Sequence, residues 1–147
     1  MCGNVQIVTH QAAMNAVDSL QKALATLPQA ELKFEHKFCG GIYARTMKAP
    51  ASCLIVGRVH ATENFFALTK GTITVWDEFN GVRTLVAPHV ESAPVGIRRI
   101  GFTATEVEWT NFFATTETDV SVLEKTLELP RKVSGEPDEN LVKLLQS

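Results

Sequence analysis

The sequence has little of what builds a cross-linked, secreted or membrane-spanning protein. Its three cysteines, Cys2, Cys39 and Cys53, are widely spaced and form no Cys-x-x-Cys pair. This pattern argues against a zinc ribbon or a disulfide framework and indicates reduced thiols. The longest apolar run falls well short of the ~20 residues of a membrane helix, and no N-terminal segment resembles a signal peptide. We therefore expect a cytoplasmic protein with no membrane partner.

Positive charge is also not in excess. Lysine and arginine total 14 against 16 aspartate and glutamate, for a formal net charge of −2. A broad basic surface for nucleic acid is therefore not expected, although a local basic pocket remains open. Apolar residues make up 45% of the 147 residues and charged residues 20%, which is typical of a globular protein of one domain.

The N-terminal segment, residues 1–30, predicts a short strand over 4–8 and then a helix. Apolar residues recur with a period near 3.6 as far as Leu27, Thr9 is a candidate N-cap, and Pro28 ends the pattern. The C-terminal segment, residues 116–147, predicts two short helices. Thr118 or Asp119 can cap the first, and Pro137 fits the first turn of the second.

The middle segment, residues 31–115, is rich in Val, Ile, Phe and Thr and is interrupted at short intervals by Gly, Pro and Asn. Such a texture predicts many short strands in a sandwich or closed barrel. The predicted strands are 32–38, 42–48, 53–60, 64–69, 72–78, 82–86, 97–104 and 106–114. Asn80-Gly81 predicts a tight hairpin between two of them. We expect a single domain, mainly β, with helices at both ends.

Two stretches of the middle segment carry a recognisable pattern. The chain reads SCLIVGRVHATENFFALTKG from Ser52 to Gly71, and PHVESAPVGIRR from Pro88 to Arg99. This spacing resembles the two sequence signatures of the cupin superfamily, with Gly71, Pro94 and Gly96 in register. The resemblance implies an antiparallel β-barrel of jelly-roll type over about residues 40–115.

A finer resemblance rests on short runs spread along the same segment. They are Gly57–His60, Lys70-Gly71, Ala87–His89, Ser92–Gly96, Arg99–Gly101 and Trp109-Thr110. These runs look like cupin-like proteins of tailed bacteriophages. The finer resemblance implies a phage protein, located in the host cytoplasm or the virion, with other phage proteins as partners.

The resemblance also identifies four positions at which metal-binding cupins place their ligands. In this sequence those positions hold Arg58, His60, Asn64 and Arg99. Only histidine among them is a good ligand, and arginine stays protonated and repels a divalent cation. We therefore expect no metal, no cofactor and no catalytic residue at these positions.

The same four residues suit a different ligand if they face the barrel interior. Arg58 and His60 stand at i and i+2, which places both on one face of a continuous strand. Two guanidiniums, an imidazole and an amide provide donors for a carboxylate or phosphate. Trp109 can supply an apolar wall. We predict a small-anion pocket formed by Arg58, His60, Asn64, Arg99 and Trp109.

Simpler interpretations of these residues stay open. The two arginines can pair with acidic side chains, for which the candidates are Asp77, Glu91, Glu106 and Glu108, or can lie at a subunit interface. His60 can be a structural histidine, and Trp109 can belong to the core.

Three classes of function fit these expectations. The first is a non-catalytic binding or assembly module of phage type, which acts as a homo-oligomer or holds a small anion. The second is an enzyme, either a metal-free isomerase or epimerase or a metal-dependent oxygenase. The third is a structural virion subunit. We favour the first class.

Overall fold

The protein was analysed as a computed structural model that describes residues 10–129 and 135–147. The chain divides into two compact units, one formed by residues 1–28 with 133–147 and the other by residues 29–132. The predicted single-domain organisation stays a prediction. In the described residues, no helix has both the length and the apolar character needed to cross a membrane.

The smaller unit contains two helices that contact each other, α1 (His10–Leu24) and α3 (Glu139–Gln146). Asp138 is the N-cap of α3, because its side chain accepts hydrogen bonds from the backbone N–H groups of Asn140 and Leu141. The prediction that Pro137 occupies the first helical turn is therefore wrong by two residues. The predicted strand over 4–8 and the Thr9 cap lie outside the described residues.

The larger unit is an antiparallel β structure. Its elements are β1 (Lys33–Cys39), β2 (Ile42–Ala49), β3 (Leu54–Val56), β4 (Val59–His60), β5 (Asn64–Lys70), β6 (Thr72–Asp77), β7 (Gly81–Val86), β8 (His89–Ala93), β9 (Ile100–Thr103), β10 (Val107–Ala114), α2 (Val120–Thr126) and β11 (Glu128–Leu129). One sheet has the order β1-β2-β10-β5-β8, a second the order β3-β9-β6-β7, and β11 pairs with β4. These sheets form a jelly-roll sandwich, and in the described residues their hydrogen bonds do not close into one continuous barrel.

The core of this unit lies between the two large sheets. Its buried side chains come from both of them and are Ala49, Phe66, Leu68, Ile73, Val75, Leu85, Val107 and Trp109. Buried Ile73, Val75 and Asp77 of β6 alternate with half-buried residues, because one face of the sheet meets the core and the other lies towards solvent.

The strand predictions differ from the structure at several places. The predicted strand 53–60 is interrupted after Val56, so β3 and β4 belong to different sheets. The strand β8 was not predicted, and residues 97–99 precede β9 rather than belonging to it. The hairpin at Asn80-Gly81 exists between β6 and β7, but the pair that closes it is Asp77 and Gly81.

Gly71 lies at the turn between β5 and β6, where its φ of +88° and its close neighbours both require glycine. A Cβ there would lie 2.1 Å from the Glu106 carbonyl oxygen, whereas a Cβ at Gly81, with φ +71°, meets nothing within 4 Å. We expect Gly71→Ala to lower the free energy of unfolding by about 2 kcal/mol and Gly81→Ala by about 1 kcal/mol, the cost of the backbone conformation alone. Urea unfolding of both variants measures the difference. Equal losses of free energy of unfolding would show that the contact between the added Cβ and Glu106 is relieved without cost.

Candidate functional site

A cavity of about 110 Å³ lies between the two large sheets. This volume has room for several water molecules or a small organic molecule. Its walls are largely apolar and come from both sheets, with contributions from Phe34, Met47, Ile55, Ile73, Val75 and Trp109. The charged groups that line it are three guanidiniums, those of Arg45, Arg58 and Arg99, and one carboxylate, that of Glu128. The cavity is therefore electropositive.

Arg99 is the most deeply placed of these cations, with 9% of its surface exposed. Its guanidinium carbon lies 4.6 Å from the ring centre of Phe66 and 5.3 Å from that of Trp109. Burial lowers the pKa of Arg99 to about 10, so the side chain remains charged at neutral pH. Its Nε and Nη2 are shielded from solvent and have no hydrogen-bond partner in the described residues. A buried cation with two unpaired N–H groups is costly unless an acceptor reaches it.

Arg45 and Glu128 form a buried ion pair at another part of the lining. Nη1 of Arg45 donates to Oε2 of Glu128, and the two side chains are only 18% and 10% exposed. Arg45 comes from β2 and Glu128 from β11, so the contact joins the five-stranded sheet to the small β4–β11 pair. The other carboxylate oxygen of Glu128, Oε1, faces Nε2 of His60 at 4.0 Å.

His60 is buried, with 7% of its surface exposed, and it lies on β4 opposite Glu128 of β11. Its Nδ1 lies 2.8 Å from the amide nitrogen of Asn64. Burial lowers the pKa of His60 to about 4, and the carboxylate of Glu128 only partly opposes this shift. The imidazole is therefore neutral at pH 7.

The structure brings most of the predicted site residues together, in different roles. His60, Arg99 and Trp109 line the cavity, and Trp109 also belongs to the core. Asn64 is not among the lining residues and instead contacts the far side of the His60 ring. Arg58 is exposed at the cavity and donates to the backbone carbonyl of Glu124 at 3.4 Å. It lies in the break between β3 and β4, so the alternation argument that paired it with His60 does not apply.

The acidic partners considered for the arginines are engaged elsewhere. Arg83 binds Glu91 through two hydrogen bonds of 2.6 and 2.8 Å and lies 3.8 Å from Asp77. Glu106 pairs with Lys70, and Glu108 lies within 3.8 Å of Lys48. In the part of the chain that the structure describes, no ion pair within 4.0 Å joins Arg58 or Arg99 to any of these four carboxylates.

Sequence reasoning missed three polar residues of the site, Arg45, Asn111 and Glu128. Arg45 stands between Tyr43 and Met47 on the core-facing side of β2, and a charged residue in such a series is a signal that could have found it. Asn111 has the same signal between Trp109 and Phe113. No such sequence signal marks Glu128, because β11 is two residues long and pairs with a strand that is distant in the sequence.

The donor set does not fit a divalent metal ion. At the four positions identified by the resemblance, Arg58 and Arg99 are cations, and the amide of Asn64 is used by Asn111 and His60. Within residues 10–129 and 135–147, no three His, Cys, Asp or Glu side chains are grouped so as to hold a metal. A divalent cation needs several neutral imidazoles or carboxylates that converge, and this lining offers one of each beside three guanidiniums.

The similarity of this chain to known proteins is a similarity of fold. No protein-family model and no curated protein matches the sequence, but many solved structures are similar. An RmlC-like cupin from Shewanella frigidimarina is 15% identical with a TM-score of 0.52, over 63% of this chain and 83% of that one. A cupin superfamily protein from Desulfitobacterium hafniense is 9% identical with a TM-score of 0.50, over 63% and 88% of the two chains.

An acetylacetone dioxygenase from Acinetobacter johnsonii is 18% identical with a TM-score of 0.48, and the match covers 58% of this chain and 61% of that one. The chain thus spans less than two thirds of that enzyme. The two cupin structures carry the conclusion, and at such low identity they show the fold alone. The mainly β, jelly-roll architecture predicted from the sequence is confirmed: the protein has a cupin-like fold.

Proposed function

We propose that the β unit binds a small organic carboxylate in the cavity between its sheets, with Arg99 as the group that holds the anion. The observation that carries the proposal is the buried guanidinium of Arg99, of which two N–H groups have no acceptor in the described residues. Nε and Nη2 form one edge of a guanidinium, and that edge matches the two oxygens of a carboxylate. Both atoms have almost no accessible surface, so an acceptor reaches them only when the Arg99 side chain turns towards the cavity that it lines.

Size and wall chemistry narrow the ligand further. A cavity of about 110 Å³ suits a molecule of a few heavy atoms. The apolar wall residues Met47, Ile73 and Val75 favour a short hydrocarbon part. A short-chain carboxylic acid combines both features, and propionate is a suitable probe.

The proposal is tested by titrating the ¹⁵N-labelled protein with propionate and with propionamide, its neutral isostere. We expect propionate to shift the amide resonances around Arg99 and propionamide to bind at least about tenfold more weakly. Because a hydrogen bond to a charged group contributes about 1.5–3 kcal/mol, Arg99→Met is expected to weaken propionate binding by about 10- to 100-fold.

Arg58→Met is the matched comparison, since it removes the same charge from an exposed position at the same cavity. We expect it to weaken binding less than about threefold, because an exposed charge is screened by water. Equal affinity for propionate and propionamide, or unchanged propionate binding in Arg99→Met, would refute an anion site at Arg99.

A protein that binds a small carboxylate can also act as an assembly module. A phage origin, a virion location and association with other phage proteins rest on the resemblance alone, and they stay predictions together with homo-oligomerisation and a cytoplasmic location. Native mass spectrometry of the intact protein reports its subunit count and any retained small molecule together.

A further inference from the structure

A directed chain of hydrogen bonds runs from the core to His60. Nε1 of Trp109 donates to Oδ1 of Asn111 at 3.1 Å, and Nδ2 of Asn111 donates to Oδ1 of Asn64 at 3.0 Å. The indole N–H can only donate, so it fixes the amide of Asn111 with its oxygen towards Trp109. The orientation of Asn111 in turn fixes that of Asn64.

The far end of this chain fixes the proton on the imidazole. Nδ2 of Asn64 donates to the carbonyl oxygen of Thr62 at 3.2 Å and contacts Nδ1 of His60 at 2.8 Å. A carbonyl oxygen can only accept, so the amide nitrogen of Asn64 is on the His60 side and Nδ1 of His60 must accept. A neutral imidazole that accepts at Nδ1 carries its proton on Nε2. His60 therefore presents a donor, not a lone pair, towards Glu128.

A hydrogen-bond donor of His60 and an acceptor of Glu128 face each other across a gap. Nε2 of His60 donates, Oε1 of Glu128 accepts, and the 4.0 Å between them is too long for a direct hydrogen bond. An oxygen ~2.8 Å from each atom would bridge them with an angle of about 90° at that oxygen. A hydroxyl group accepts from Nε2–H and donates to Oε1, whereas a carboxylate oxygen would be repelled by Glu128.

We propose that the cavity selects short hydroxy carboxylic acids, with the carboxylate at Arg99 and the hydroxyl between His60 and Glu128. This inference rests on the proposed carboxylate site and adds a second point of recognition to it. All three side chains line the same cavity of about 110 Å³, which limits the carbon chain between the two functional groups to a few atoms. A site built to pair a hydroxyl discriminates strongly against an analogue without one, because its polar groups are then left unpaired.

Four probes of nearly equal size test the inference: propionate, lactate, 3-hydroxypropionate and propane-1,2-diol. We expect one of the two hydroxy acids to bind at least about tenfold more tightly than propionate, and the diol to bind most weakly. Equal affinities for propionate and both hydroxy acids would overturn the hydroxyl site and leave the carboxylate site standing. Absence of binding by all three carboxylates would instead overturn the proposed function.

His60→Phe removes the donor and keeps an aromatic ring of similar size. We expect the hydroxy acid to lose its advantage in this variant, so that its affinity becomes equal to that of propionate measured in the same variant. A second measurement uses the unmodified protein: the imidazole ¹⁵N shifts at pH 7 should show Nε2 protonated and Nδ1 unprotonated. A proton on Nδ1, or a preference that survives in His60→Phe, would contradict the inference.

Discussion

Acidification from pH 7 to pH 4 is expected to lower the free energy of unfolding by about 3 kcal/mol through His60 alone. The pKa of an unfolded histidine is near 6.5, and burial lowers the pKa of His60 in the folded protein to about 4. Between these values the unfolded state binds more protons than the folded state, so stability falls as the pH falls. Each unit of difference in pKa corresponds to about 1.4 kcal/mol, and the loss levels off below about pH 4.

Urea unfolding across this pH range measures the effect, and the comparison with His60→Gln isolates it from the carboxylates that also titrate there. We expect the variant to lose less stability than the wild type between pH 7 and pH 4, with a difference of about 3 kcal/mol. His89→Gln is the matched control, because the His89 side chain is 33% exposed beside Glu91. The His89→Gln variant should lose as much stability on acidification as the wild type. If stability falls with pH in parallel for the wild type and His60→Gln, His60 is already protonated or exposed in the folded protein.

The strands were largely predictable because their residues obey local rules. Phe66 and Leu68 on β5, and Ile73 and Val75 on β6, alternate with less buried neighbours, and the apolar side chains have one core to enter. Gly71 separates the two strands because its positive φ and its close approach to Glu106 admit no side chain. Each of these features can be read from a short window of sequence.

The strand β8 could not be predicted in that way. Its five residues include His89, Glu91 and Ser92, whose polar character is typical of a loop. The strand forms because it pairs with β5 at the edge of the large sheet, and because Glu91 receives two hydrogen bonds from Arg83 of β7 in the other sheet. A pairing of this kind depends on the tertiary arrangement, which a single sequence does not report.

The site shows the same division between local and distant causes. His60 and Arg99 were identified through the resemblance to the cupin signatures, and both line the cavity. The sequence placed Arg58 beside them by strand alternation, which fails because the chain leaves the strand after Val56. Glu128 is paired with Arg45, 83 residues earlier in the chain, and only the folded backbone brings the two together.

Glu128→Gln is expected to change stability and ligand affinity in opposite directions. The substitution keeps the shape of the side chain but removes its charge, which leaves Arg45 buried without a counter-ion. Removal of one partner of a buried ion pair costs about 3–5 kcal/mol, and because the amide oxygen can still accept from Arg45 we expect about 3 kcal/mol. Glu106→Gln is the matched control, since Glu106 pairs with Lys70 with both side chains more than half exposed, and its loss should stay below about 1 kcal/mol.

The same substitution is expected to strengthen propionate binding by about tenfold or more. Glu128 is the one carboxylate that lines the cavity in the described part of the chain, and it repels an anion held at Arg99. Even over ~8 Å, with an effective dielectric constant of ~20, such a repulsion amounts to about 2 kcal/mol. Chemical denaturation and propionate titration of Glu128→Gln measure the two effects. An electropositive ligand cavity predicts lower stability together with tighter propionate binding. A loss of both stability and propionate affinity would contradict it and would mean that Glu128 has only a structural role, as the partner of Arg45.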